Sequence, residues 1–134
     1  MRREDWPERL AAVLEAARSR TYTERDHCAE FANDVVLALT GTEPLPERLR
    51  GLSRSACYRA VREAGYRDAA AAAEGLVGER VAVALAQRGD LVLRVDDDGE
   101  AFGVCCGKES AFVADGVDLA FYPTLECAAA FRVG

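Results

Sequence analysis

Arg88-Gly89-Asp90-Leu91-Val92-Leu93-Arg94-Val95-Asp96-Asp97-Asp98-Gly99-Glu100-Ala101-Phe102-Gly103-Val104-Cys105-Cys106-Gly107 is the stretch at which apolar spacing changes from helical to alternating. It predicts a strand over 91–95, a solvated turn at Asp96-Asp97-Asp98-Gly99, and a second strand over 101–106. Downstream, Gly107-Lys108-Glu109 predicts another turn. Strands over 110–114 and 117–122 then form a hairpin around Asp115-Gly116, a pair suited to positive φ. A short helix over 124–130 and an edge strand over 131–133 are expected to close the chain.

Upstream of that switch the spacing is helical. Asp5-Trp6-Pro7-Glu8 reads as a helix start, with Asp5 as N-cap, Pro7 in the first turn and Glu8 reaching back to the cap. Trp6, Leu10, Val13, Leu14 and Ala17 form one apolar stripe down this first helix. A polar connection over 21–25 leads to Asp26 as cap of a second helix, which Gly41 stops. Cys28 heads its buried face of Phe31, Ala32, Val35, Val36 and Leu39. Leu45, Leu49 and Leu52 suggest a short helical turn, Ser53 caps a third helix to residue 64, and Asp68 opens an Ala-rich helix to residue 74. Gly75 and Gly78 leave 75–87 without a clear pattern. Helices first and strands afterwards is an α+β layout, N-terminal helices packed on one face of a small C-terminal antiparallel β-sheet, in a single domain over 1–134.

Half of the 134 residues are apolar, enough for a core without staples. The formal net charge of -6 argues against a nucleic-acid partner, because phosphate neutralisation needs clustered Lys and Arg. No apolar stretch follows Met1-Arg2-Arg3, and the Ala run over 69–73 is too short to span a bilayer, so a soluble, unsecreted chain with no membrane insertion is expected. Five cysteines (Cys28, Cys57, Cys105, Cys106, Cys127) lack any C-x-x-C spacing and lie in apolar contexts. They are expected to be reduced and mostly buried; with one histidine beside them, neither a metal site nor a cofactor is expected. The Asp96–Asp98 run lacks the later ligands of a calcium loop. No Gly-rich phosphate loop, Ser-His-Asp order or dinucleotide fingerprint is present.

The chemistry concentrates at Asp26-His27-Cys28. A cysteine in the first turn of a helix meets unpaired N–H groups and the positive end of the helix dipole, both of which favour thiolate. A working nucleophile also needs a base within hydrogen-bond reach. Neighbouring helical residues point about 100° apart, so His27, the only histidine, is badly placed to serve Cys28. It is expected to cap, to bond a loop carbonyl or to carry a pH-sensitive charge. Asp90, after a glycine at a strand entry, is expected to bond local backbone N–H groups and fix the turn. Glu100 points to the opposite face from Ala101, and Cys105 to the opposite face from Cys106.

Asp26-His27-Cys28, Arg88-Gly89-Asp90-Leu91-Val92-Leu93 and Phe102-Gly103-Val104-Cys105-Cys106-Gly107, in that order behind a first helix, resemble the NlpC-like cell-wall peptidases of the papain-like superfamily. The resemblance places the nucleophile on Cys28, the base on Ala101, which cannot accept a proton, and the polar third residue near 110–112. A likeness over nearly the whole chain is to a family of small proteins encoded by tailed phages and prophages. It is carried by Trp6-Pro7-Glu8-Arg9-Leu10, Asp26-His27-Cys28-Ala29-Glu30-Phe31-Ala32, Thr40-Gly41, Arg50-Gly51, Arg88-Gly89-Asp90-Leu91-Val92-Leu93, Gly103-Val104-Cys105-Cys106-Gly107 and Phe131-Arg132-Val133-Gly134. His27 precedes Cys28 where Asp is usual in that family, so the local geometry there is expected to depart from the pattern. These likenesses imply an NlpC/papain-like fold with a degenerate site, made in the host cytoplasm and carried in the virion. The implied role is a non-catalytic part of a phage tail tip or baseplate, with hub proteins as partners and possible peptidoglycan contact. The rival readings are an active thiol hydrolase cleaving peptidoglycan peptide bonds during entry, and a cytoplasmic tail-assembly factor.

Overall fold

The computed structural model describes residues 1–20, 27–97, 99–113 and 118–134. Among these, four α-helices are followed by a six-stranded antiparallel sheet, which is the expected α+β class. The helices are α1 (Trp6–Ser19), α2 (Cys28–Thr40), α3 (Arg54–Glu63) and α4 (Ala69–Leu76). Ser53 and Asp68 cap α3 and α4 by accepting from the Ala56 and Ala71 N–H groups. Gly41, at φ 82°, ends α2 in a left-handed turn and donates its N–H to the Leu37 carbonyl. Asp5 does not cap α1: its carboxylate instead accepts from Arg9 Nε at 2.8 Å, one turn along. The short helical turn expected near Leu49 is a 3-10 turn at Glu47–Leu49.

The strands are β1 (Arg80–Val81), β2 (Leu91–Asp96), β3 (Gly99–Cys105), β4 (Glu109–Val113), β5 (Leu119–Pro123) and β6 (Ala129–Phe131), in the order β1-β6-β2-β3-β4-β5. Asp96 pairs with Gly99, which closes the expected hairpin between β2 and β3. The tip of the next hairpin, with Asp115-Gly116, lies outside the described residues. Leu10, Phe31, Val35 and Leu39 from α1 and α2 pack on Leu91, Leu93, Val104, Ala111 and Phe131 of the sheet. Burying each of the large apolar side chains contributes roughly 1.5–3 kcal/mol, so this layer holds the helices to the strands.

Two expectations about the last strand need correction. Residues 124–130 are not a helix: a 3-10 turn at Thr124–Glu126 leads directly into β6. Alanine favours helix, but here tertiary pairing wins, with Ala129 and Ala130 opposite Leu93 and Val92 and both almost fully buried. Nor is the last strand an edge, because β6 sits between β1 and β2. The helices keep to one face of the sheet, as expected, and the other face is covered as well. Val92, Cys105, Phe112, Cys127 and Ala130 form a second cluster on the face away from the helices, joined by Val81, Val83 and Ala86. The patternless 75–87 stretch supplies that cover through β1 and a 3-10 turn at Val83–Leu85. Leu91-Val92-Leu93 therefore reads as a continuous apolar run because both of its faces are buried.

Asp90 ties this arrangement together. Its side chain is fully buried and accepts four hydrogen bonds: Arg2 Nη2 at 2.9 Å and the Val133 N–H at 3.1 Å on Oδ1, Arg132 Nη1 at 2.9 Å and the Gln87 N–H at 2.9 Å on Oδ2. The expected bond to local backbone is the one from Gln87. Arg2 also donates to the Val133 and Arg88 carbonyls at 2.8 and 2.7 Å, and its guanidinium lies 4.4 Å from the Trp6 ring centroid. One carboxylate thus joins the segment before α1, the entry to β2 and the segment after β6. Removing one partner of a buried ion pair strands the other charge, at about 3–5 kcal/mol. Asp90→Ala is expected to lower unfolding stability by that amount in urea titration, whereas a change within about 0.5 kcal/mol, as at an ordinary surface site, would contradict the assigned role.

Candidate functional site

Cys28 is the first residue of α2, and the residue that caps this helix is His27. Asp26, the expected cap, lies outside the described residues. The imidazole accepts the Ala29 N–H on Nδ1 at 3.2 Å, and its Nε2 lies 3.2 Å from the Leu52 carbonyl. A carbonyl oxygen can only accept, so Nε2 carries the proton and Nδ1 is the acceptor. Both ring nitrogens are committed to structure, as cap and as carbonyl partner. His27 does not serve as the base of Cys28.

The loop that presents Leu52 is fixed to α2 by a polar frame. Glu30, 6% exposed, accepts from Arg50 Nε at 2.7 Å and from the Gly51 N–H at 2.8 Å. Arg50 also pairs with Glu43, which accepts from Asn33 Nδ2 at 3.2 Å, while Asn33 Oδ1 takes the Leu45 N–H at 3.0 Å. Both side-chain polar atoms of Asn33 and both carboxylate oxygens of Glu30 are partnered in this frame, and its apolar edge, Pro44 and Leu45, joins the wall of a cavity.

That cavity, about 90 Å³, lies between α2, α3, α4 and the β2–β3 ladder. Cys28, Ala32, Cys57, Val61, Ala72, Leu91 and Phe102 line it, with Arg54 and Tyr58 from α3 alongside. Burial pushes the Cys28 thiol above its ordinary value; the Phe102 backbone amide, then the Arg54 charge, oppose the shift without cancelling it. Burial likewise raises Cys57, with Cys28, once ionised, and the Glu30 charge adding to it. Tyr58 is raised by burial, then by Cys28 and Glu100, against the Arg54 charge and hydrogen bond. At neutral pH the site therefore presents an uncharged thiol in apolar surroundings. Among the described residues, no group of three His, Cys, Asp or Glu side chains could hold a metal ion, and no helix is long and apolar enough to cross a membrane.

Residues 1–133 match the model of DUF6950, a domain of unknown function. The chain belongs to the DUF6950 family. No curated protein and no solved structure matches it.

In this DUF6950 domain the strand position facing Cys28 is Phe102. Ala101, where the base was expected, packs with the cluster on the far face of the sheet, opposite Arg94 in the ladder. Strand alternation sends Phe102 toward α2 and Ala101 away, so an imidazole at 101 would point away from the thiol. Positions 110–112 supply no polar partner either. Ala111 faces the helices, while Ser110 bonds Thr124 across the far face at 2.8 Å. Glu100 shares Phe102's face by the same alternation, and its carbonyl accepts from Arg54. Arg54 and Tyr58 on α3 are the site neighbours that sequence spacing left out; Glu100 was set aside for facing away from Ala101, and because Ala101 is the residue on the far face, Glu100 falls on the side of Cys28. Cys105 and Cys106 do lie on opposite faces. All five cysteines are free; Cys57, Cys105 and Cys127 are buried, and Cys28 and Cys106 are half-buried, Cys28 with its sulfur turned inward to the cavity. His27→Ala is expected to cost about 1 kcal/mol of stability, the usual loss for a helix cap, and His27→Asn, which keeps an acceptor for Ala29 N–H, less. Equal stability of His27→Ala and the parent in urea titration would contradict the capping role.

Proposed function

We propose that the protein is a non-catalytic structural component of a phage tail tip or baseplate, built on an NlpC/papain-like fold whose thiol site no longer hydrolyses. The observation that carries the non-catalytic part is the surroundings of Cys28: burial raises its thiol, His27 is committed at both nitrogens, and Phe102 occupies the facing strand position. A cysteine hydrolase needs a base within hydrogen-bond reach of its sulfur. The order of helix-borne cysteine, Gly89-Asp90 strand and Gly103-containing strand supports the fold reading, and the whole-chain likeness to phage-encoded proteins supports the setting. Leu85 and Leu125, 66% and 71% exposed on two 3-10 turns that touch, give the far face an apolar surface suited to hub partners.

One observation favours the hydrolase reading: the Phe102 amide and the Arg54 charge both act to stabilise a thiolate at Cys28. The two readings separate in one set of measurements. Mass spectrometry of purified mature tails is expected to find this polypeptide, and Cys28→Ala particles are expected to assemble and infect as the parent does. Tails that lack it would contradict the structural role, as a cytoplasmic assembly factor requires. Turnover of peptidoglycan fragments that disappears in Cys28→Ala would establish the hydrolase instead.

A further inference from the structure

The cavity beside Cys28 has the two parts of a small-ligand site, a mostly apolar interior and a cationic rim. Inside, the polar neighbours are spent: Asn33 on Glu43 and Leu45, and His27 on Ala29 and Leu52. A water needs only about 10–15 Å³ but also two to four polar partners; this space of about 90 Å³ has room for water, but its lining is mostly apolar. It suits hydrocarbon.

At the rim stands Arg54, whose residue is exposed while the neighbouring Cys57 and Val61 are buried. Its guanidinium is held by the Glu100 carbonyl, with Tyr58 beside it in the cavity lining. Among the described residues it has no carboxylate partner. Of its five N–H donors, some remain to meet a ligand, and a guanidinium matches a carboxylate with two parallel bonds. The neighbouring thiol, held neutral, offers it no anion.

We infer that this cavity binds a short-chain aliphatic carboxylate, its tail among Ala32, Cys57, Val61, Ala72 and Phe102 and its head on Arg54. A dry cavity of about 150 Å³ accepts benzene, so by proportion this one takes a tail of about four carbons, as in pentanoate. The site is independent of hydrolysis and of any tail partner, and needs only the folded chain.

The test is calorimetric titration of the full chain with pentanoate, 1-pentanol, pentylamine and acetate. Pentanoate is expected to bind at least about ten-fold tighter than the other three, the scale of hydrogen bonds to a charged group. In Arg54→Gln, an exposed change that spares the core, pentanoate is expected to fall to the affinity of 1-pentanol. Ala72→Leu, folded by circular dichroism, is expected to lose pentanoate and 1-pentanol together. Acetate equal to pentanoate, an alcohol or amine equal to the carboxylate, or unchanged binding in Arg54→Gln would each overturn the inference.

Discussion

The buried carboxylate of Asp90 is the constraint on which the arrangement rests. It accepts from Arg2 and Arg132 and from the backbone at Gln87 and Val133, so residues 2, 87, 90, 132 and 133 become neighbours. Buried charge is tolerated only when it is fully partnered, and here the partners come from opposite ends of the chain. Gly89, at φ 95°, makes the turn that delivers Asp90, and a Cβ there would meet both Arg2 and Leu39. The same turn starts β2, whose pairing with β3 sets Leu93 opposite Phe102.

That pairing carries the consequences from the Asp90 knot to the thiol. With Leu93 and Phe102 on the helix side, the ring of Phe102 meets α2 near its start, and Ala101 is turned to the other cluster. Phe102 brings bulk to the site and, through its backbone amide, one weak donor for the sulfur. The helix start contributes N–H groups that favour thiolate, yet desolvation outweighs them. Helix position and burial act on Cys28 in opposite directions, and burial wins.

Much of this was legible in the sequence because it depends on local chemistry. Ser53, Asp68 and Gly41 act at the helix ends where their side-chain or backbone preferences place them, and Leu10, Phe31, Val35 and Leu39 fall on the buried stripes that helical spacing requires. His27 as cap and carbonyl partner was among the readings its position allowed. What depended on distant partners was not legible. Ala129 and Ala130 favour helix locally and become strand because β1 and β2 need a strand between them. Alternation shows that Ala101 and Phe102 face opposite ways, but ladder pairing decides which one meets α2. Asp90's four donors span the chain, and only Gln87 lies near enough in sequence to be anticipated.

The central claim is that the Cys28 sulfur stays protonated because it is desolvated and has no base beside it. Thiolate ultraviolet absorbance, followed through a pH titration of the intact chain and of Cys28→Ser, isolates that group. The account predicts that the difference between the two stays flat through neutral pH and rises only above the ordinary thiol value of 9.0. A difference step complete below neutral pH would show a stabilised thiolate and contradict it.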